Sequence, residues 1–193
     1  MRITGGSARG RKLLVPAGDG IRPSCDRVRE ALFNILGDRI LGARVLDLFA
    51  GTGAFGIEAL SRGAQSALFV DRAREAGRLI EANLKACLSN PEAAFLLLDL
   101  TLPRQLRRVQ AYLRKAGPFD LVFMDPPYRK ELAQPVLEMV EEADILSPDA
   151  LVVAEEHQRV SLPGRIGALQ LTDQRRYGET GLWFYQQRPP DHP

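Results

Sequence analysis

The chain has 193 residues, 26 of them basic and 24 acidic, and is 45% apolar. That length predicts one domain with at most a small appendage, able to bury about 70% of its unfolded surface without covalent staples. Two cysteines, Cys25 and Cys87, in no CxxC pair, exclude a disulfide scaffold and a cysteine zinc site. With His157 and His192 as the only histidines, a histidine-based triad or metal centre is not expected. No apolar run approaches the ~18 residues of a membrane span, and the first turn of sequence has no apolar signal core, so a cytoplasmic protein is expected.

Charge is unevenly placed. Residues 1–12, MRITGGSARGRK, carry Arg2, Arg9, Arg11 and Lys12 and no acid. Residues 1–30 hold seven basic side chains against three acidic ones, in a chain whose total net charge is +2. A basic appendage on a near-neutral body points to contact with a polyanion. Segments 2–4 and 11–15 read as two short strands around the turn GGSARG, with 16–23 as a loop. Ser24 is a candidate N-cap for a helix over 25–36, where Val28, Leu32, Ile35 and Leu36 recur at helical spacing.

From there strand and helix alternate. Strands are predicted at 43–49, 66–71, 93–99, 119–125 and 150–156, with helices at 54–62, 73–87, 102–115 and 131–143 between them. Runs such as VLDLF and LVFM suit strands covered on both faces. The segments ALQLTDQRRYG and TGLWFYQQ, residues 168–187, read instead as two strands joined by a turn with no helix between them. The expectation is a doubly wound α/β fold, a seven-stranded, mostly parallel sheet with an antiparallel last strand, preceded by a small hairpin. Its organisation would be a basic hairpin and loop over 1–23, the main domain over 24–188 and a frayed tail over 189–193.

Two motifs carry chemistry. The first is Asp47-Leu-Phe-Ala-Gly51-Thr-Gly53-Ala-Phe-Gly56, a GxGxxG between a strand and a helix. Gly51 and Gly53 permit positive φ and close approach of a ligand, and the helix start supplies unpaired N–H groups. Asp71, twenty residues after Gly51, ends the second strand, where a carboxylate can hold ribose hydroxyls. Dinucleotide sites place pyrophosphate at such a helix start, and Asp47 would repel it. An acid there suits a ligand with an ammonium group and no phosphate, such as S-adenosylmethionine. Asp99, at the end of the third strand, would then lie near the adenine.

The second motif is Asp125-Pro126-Pro127-Tyr128, directly after the fourth strand. The prolines fix the backbone and have no N–H, so the neighbouring carbonyls are aimed by ring geometry. A carboxylate, an aimed carbonyl and an aromatic face suit an exocyclic amino group on a flat base. Asp125 and the Pro126 carbonyl would accept its two N–H bonds, and Tyr128 would stack on the ring.

The tetrapeptide following a D-x-F-x-G-x-G turn resembles the amino methyltransferases. MRITGGSARGRKLLVP, RPSCDRVREALFNIL, DLFAGTGAFGIEALSRGA, DPPY and YGETGLWFY together resemble the RsmD-type 16S rRNA guanine-N2 methyltransferases of bacteria. The resemblance implies a class I S-adenosylmethionine-dependent methyltransferase fold. It places Asp47, Phe49, Gly51, Gly53, Asp71 and Asp99 at the cofactor and Asp125, Pro126, Pro127 and Tyr128 at the target base. Arg2, Arg9, Arg11, Lys12 and Arg22 would contact rRNA, within a partly assembled small subunit, with no metal, no membrane and a monomeric enzyme. Asp26 and Arg29, three apart on one helix face, either close over a ligand or form an exposed ion pair. One departure is Ser24-Cys25 where the family has Thr-Thr. The alternatives are a methyltransferase for DNA adenine or a protein glutamine, an NAD-dependent oxidoreductase, and a non-catalytic RNA-binding module.

Overall fold

The computed structural model describes residues 1–16, 23–127 and 131–188, with the backbone alone at 23–25 and 115. The expected loop before the first helix, Arg22, Tyr128 and the tail therefore lie largely or wholly outside the described residues. The chain divides into two compact units, residues 1–97 and residues from Leu98 onward.

In the first unit, helix α1 (Pro23–Leu36) leads through a short 3-10 turn to strand β1 (Arg44–Leu48). Helix α2 (Ala54–Ser61), strand β2 (Ser66–Asp71), helix α3 (Arg74–Cys87) and strand β3 (Ala93–Leu97) follow. Strand β2 pairs in parallel with β1 on one side and β3 on the other, with Asp47 opposite Phe69. Its five leading residues are all buried, the mark of a strand covered on both faces. Helix α3 buries Ala76, Ile80, Asn83 and Cys87, a single stripe at helical spacing. A methyl at Gly56 would run into the Phe69 ring, so the third glycine of the motif permits close helix–strand packing.

Residues 1–14 belong to this unit and pack along α2 and α3. The two expected strands pair as a short antiparallel ladder about one bridge, Arg2 to Lys12, with Ile3 N–H donating to the Arg11 carbonyl at 2.9 Å, Gly10 N–H to the Ile3 carbonyl at 2.8 Å and Leu13 N–H to the Met1 carbonyl at 3.2 Å. Helix α2 holds the turn between them. Thr4 N–H donates to Glu58, Ser7 N–H to the Ser61 carbonyl and Ala8 N–H to Ser61 Oγ, while Ser61 Oγ donates to the Gly5 carbonyl. Ile3, Ala8 and Leu13 are buried in the process.

In the second unit, a 3-10 turn (Gln105–Val109) runs into helix α4 (Gln110–Ala116), then strand β4 (Phe119–Met124) and helix α5 (Ala133–Glu142). Strands β5 (Leu146–His157), β6 (Arg165–Ile166), β7 (Leu169–Tyr177) and β8 (Thr180–Gln187) complete it. Strand β4 pairs in parallel with β5; β5 with β8, β8 with β7 and β7 with β6 are antiparallel. Trp183, Phe184 and Tyr185 of β8 are buried in this core.

Three expectations change here. The helix predicted over 102–115 is shorter and opens as a 3-10 turn, because Pro103 disfavours helix at Leu102 and Arg104 is left-handed at φ 60°. Strand β5 begins earlier than predicted. Leu146 pairs with Phe119 and Leu151 with Leu121, so its first part holds a bulge containing Pro148 and Asp149. Eight strands stand among the described residues instead of seven, the extra one being the two-residue β6. The α/β class and the closing antiparallel hairpin are as expected.

Candidate active site

The glycine-rich turn leaves β1 with three left-handed residues, Phe49 at φ 58°, Gly51 at 53° and Gly53 at 77°. Glycine adopts this region freely; Phe49 does so at a cost of about 1–3 kcal/mol, which the surrounding packing has to sustain. Helix α2 starts directly after Gly53 with no side-chain cap of its own. Asp47 fills that role from the strand, its carboxylate accepting the Gly56 N–H at 2.9 Å.

Asp47 is almost wholly buried. Burial pushes its carboxyl up to about 8, the Gly56 hydrogen bond opposes this, and the nearby Asp71 charge adds to it. Among the described residues no basic side chain pairs with Asp47. Asp71, at the end of β2, accepts the Gly51 N–H at 2.9 Å and the Ala73 N–H at 2.8 Å. The two carboxylates thus grip the turn from either side. A buried carboxyl whose ionisation is opposed by burial fits a ligand that brings a cation. It does not fit a ligand that brings phosphate.

In the second unit, Asp125 follows β4 directly and is partly exposed, Pro126 is buried and Pro127 is exposed. Asp99 sits in a turn two residues past the end of β3, where it accepts the Thr101 N–H at 3.0 Å and the Thr101 hydroxyl at 2.7 Å. Asp47, Phe49, Gly51, Gly53 and Asp71 are therefore gathered in the first unit, and Asp99 and Asp125 to Pro127 belong to the second.

Arg2, Arg9, Arg11 and Lys12 are all exposed. Arg11 also donates to the Ala86 carbonyl near the C-terminus of α3 at 2.7 Å. Arg29 is neither a ligand clamp in the open nor an exposed pair, being only 2% exposed. It donates to Asp26 at 2.9 Å, to Glu58 at 3.4 Å and to the Arg2 carbonyl. Glu58, fully buried on α2, also accepts from Thr4 and from Arg62, whose guanidinium lies over the Phe33 ring. Sequence reasoning passed over Glu58 and Ser61, and placed Asn83 on the inner side of its helix without giving it a role. The signal at Glu58 was a charged side chain in the otherwise apolar run AFGIEALS.

Among the described residues no cluster of His, Cys, Asp and Glu could hold a metal, and no helix is long and apolar enough to cross a membrane. A nucleotide-type turn between strand and helix with acids at two strand ends is the site pattern of the Rossmann-like methyltransferases. The Escherichia coli protein yhhF, a candidate methyltransferase, has a solved structure that matches at TM-score 0.79 and 33% identity, covering 97% of this chain and 98% of that one. A candidate rRNA methyltransferase of Bacillus subtilis, YlbH, is 38% identical over 194 residues, covering 97% of this chain and 100% of the relative. Ribosomal RNA small subunit methyltransferase D of Escherichia coli K12 is 36% identical over 186 residues, 96% of this chain and 89% of the relative. The family model for conserved hypothetical protein 95 matches residues 1–186, and the chain belongs to that family, the RsmD family.

Proposed function

We propose that the chain transfers a methyl group from S-adenosylmethionine to the exocyclic N2 amine of a guanine in 16S rRNA. The observation that carries this reading is Asp47, a buried carboxyl beneath a left-handed glycine turn, held near neutrality with no protein cation against it among the described residues. The names of the relatives supply the substrate class. When bound, the cofactor would supply an electrophilic methyl group on a sulfonium sulfur.

This chain's residues do the rest. Asp47 would pair with the cofactor's α-ammonium. Asp71 spends two of its roughly four acceptor positions on backbone amides and keeps the others for ribose hydroxyls. Gly51 and Gly53 keep the approach free of side chains, with Phe49 beside them, and Asp99 is assigned to the adenine end. Asp125 and the Pro126 carbonyl accept the two N–H bonds of the guanine amine, which is a poor nucleophile because its lone pair is delocalised into the ring. Two acceptors hold the nitrogen nearer sp3 and stabilise the positive charge that grows as the methyl arrives. Pro127 fixes the backbone, and Tyr128, outside the described residues, is assigned to stacking on the base. No enzyme-bound methyl is required, so Cys25 and Cys87 have no catalytic part.

Arg2, Arg9, Arg11, Lys12 and Arg22 are assigned to rRNA phosphates, with a partly assembled small subunit as partner and a monomer in the cytoplasm as the working form. The test is transfer of labelled methyl groups to small ribosomal subunits from cells lacking the enzyme, run beside DNA and a glutamine-containing protein. Label in rRNA guanine is expected. Label in DNA adenine or in protein, with none in rRNA, overturns the reading.

A further inference from the structure

Asn83 of α3 is fully buried, a position where an amide needs every partner it can find. Its Oδ1 accepts the Leu14 N–H at 2.7 Å, and its Nδ2 donates to the Leu14 carbonyl at 3.1 Å and to the Thr52 carbonyl at 2.9 Å. Leu14 closes the basic N-terminal segment, and Thr52 lies between Gly51 and Gly53. A buried amide with a merely structural role could take its partners from any neighbouring element. Here all three bonds go to the two segments assigned to ligands. Both N–H bonds and the oxygen of one planar amide are committed, so a rotation or shift that follows Thr52 is felt at Leu14. A second link runs alongside it, from the Thr52 hydroxyl to the Met1 sulfur at 3.4 Å.

We propose that Asn83 is a positioning residue that couples the N-terminal segment to the glycine-rich turn, so that cofactor and RNA each tighten the binding of the other. The coupling to RNA rests on the function proposed above; the coupling to the turn does not. By linkage, whatever factor the RNA adds to cofactor affinity, the cofactor adds to RNA affinity.

Two measurements on the full chain test it. The first is hydrogen exchange with and without S-adenosylmethionine and no RNA present. The Leu14 amide should slow at least fivefold, while the Ala8 amide, bonded to Ser61 at the far end of the segment, should not change. An unchanged Leu14 amide overturns the coupling. The second is calorimetric affinity for S-adenosylhomocysteine, the demethylated cofactor that cannot react, with and without saturating small subunits from cells lacking the enzyme. Wild type should bind at least fivefold more tightly with them, in the usual range for coupled sites. Asn83→Asp keeps the size of the side chain but sets a carboxylate against two carbonyls, and the ratio should fall to about one. Ser7→Ala, which trims the far end of the segment, should keep the wild-type ratio. A folded Asn83→Asp with the wild-type ratio overturns the proposal. If the exchange effect is present but no RNA binds, the RNA reading fails and the coupling to the turn stands. Should Asn83→Asp not fold, the exchange experiment on the wild type decides.

Discussion

Replacing Asp47 by Asn should make the empty protein more stable and the enzyme worse. Asp47 has an ordinary value of 3.8 and is pushed up to about 8 in the fold, chiefly by burial. A folded pKa above the unfolded one means the native state holds an extra proton between the two values. Stability from this group is therefore full at acid pH and is lost as pH rises, at about 1.4 kcal/mol per unit until about pH 8, where the loss levels off. By pH 7 the loss amounts to roughly 4 kcal/mol, an order-of-magnitude figure. Asn does not titrate, so the stability difference between Asp47→Asn and wild type should grow with pH across pH 5–8 in urea unfolding of the empty protein. Cofactor affinity should move the other way and fall by about 1.5–3 kcal/mol, the value of a hydrogen bond to a charged group. In wild type, the α-ammonium loses its proton near the value at which Asp47 loses its own, so cofactor affinity should peak near pH 8. A stability difference that stays flat with pH would refute the argument. So would cofactor affinity that survives the substitution.

Further outcomes follow from the same geometry. Asp125→Ala should leave cofactor affinity intact and slow transfer by about 100- to 1000-fold, the cost of one aimed acceptor at a charged transition state, read in single-turnover assays. Asp71→Ala should weaken cofactor binding by about 1.5–3 kcal/mol, and the Gly51 and Ala73 amides should exchange faster because they lose their acceptor. Glu58→Gln removes the buried charge shared by Arg29 and Arg62 while Arg29 keeps Asp26, so urea unfolding should report a loss that stays below the about 3–5 kcal/mol of a buried pair broken outright. Changing Arg2, Arg9, Arg11 and Lys12 together to Gln should remove a salt slope of about −3, equivalent to roughly 50-fold weaker RNA binding between ~50 and ~200 mM salt. Cofactor affinity without RNA should not change in that variant, since its side chains are exposed and the Asn83 bonds run through the Leu14 backbone.

Most of the fold was legible because its signals are local. Ser66–Asp71 matches the predicted strand residue for residue, since β-branched and apolar residues fill it and Gly63 and Arg72 bound it. Asp47, Gly51, Gly53 and Asp71 stood out because strand ends and glycine spacing can be read within some 25 residues. What each carboxylate holds in the empty protein could not be read that way. Asp71 bonds an amide 20 residues back, a distance set by how β1 and β2 pair. The polar network under the N-terminal segment was less legible still. Thr4 meets Glu58 across 54 positions and Leu14 meets Asn83 across 69. No periodicity links such pairs, so even a polar side chain read on the inner side of a helix has no partner until the packing is known. The hairpin itself was legible, and its two segments exchange backbone bonds, but the way α2 holds the turn between them could not be read.

The most direct measurement is nucleoside analysis of 16S rRNA from cells in which this gene is deleted and then restored as wild type or as Asp125→Ala. The account predicts that one N2-methylguanosine is lost on deletion, returns with wild type and stays absent with Asp125→Ala. Unchanged N2-methylguanosine in the deletion strain, or full restoration by Asp125→Ala, would contradict it.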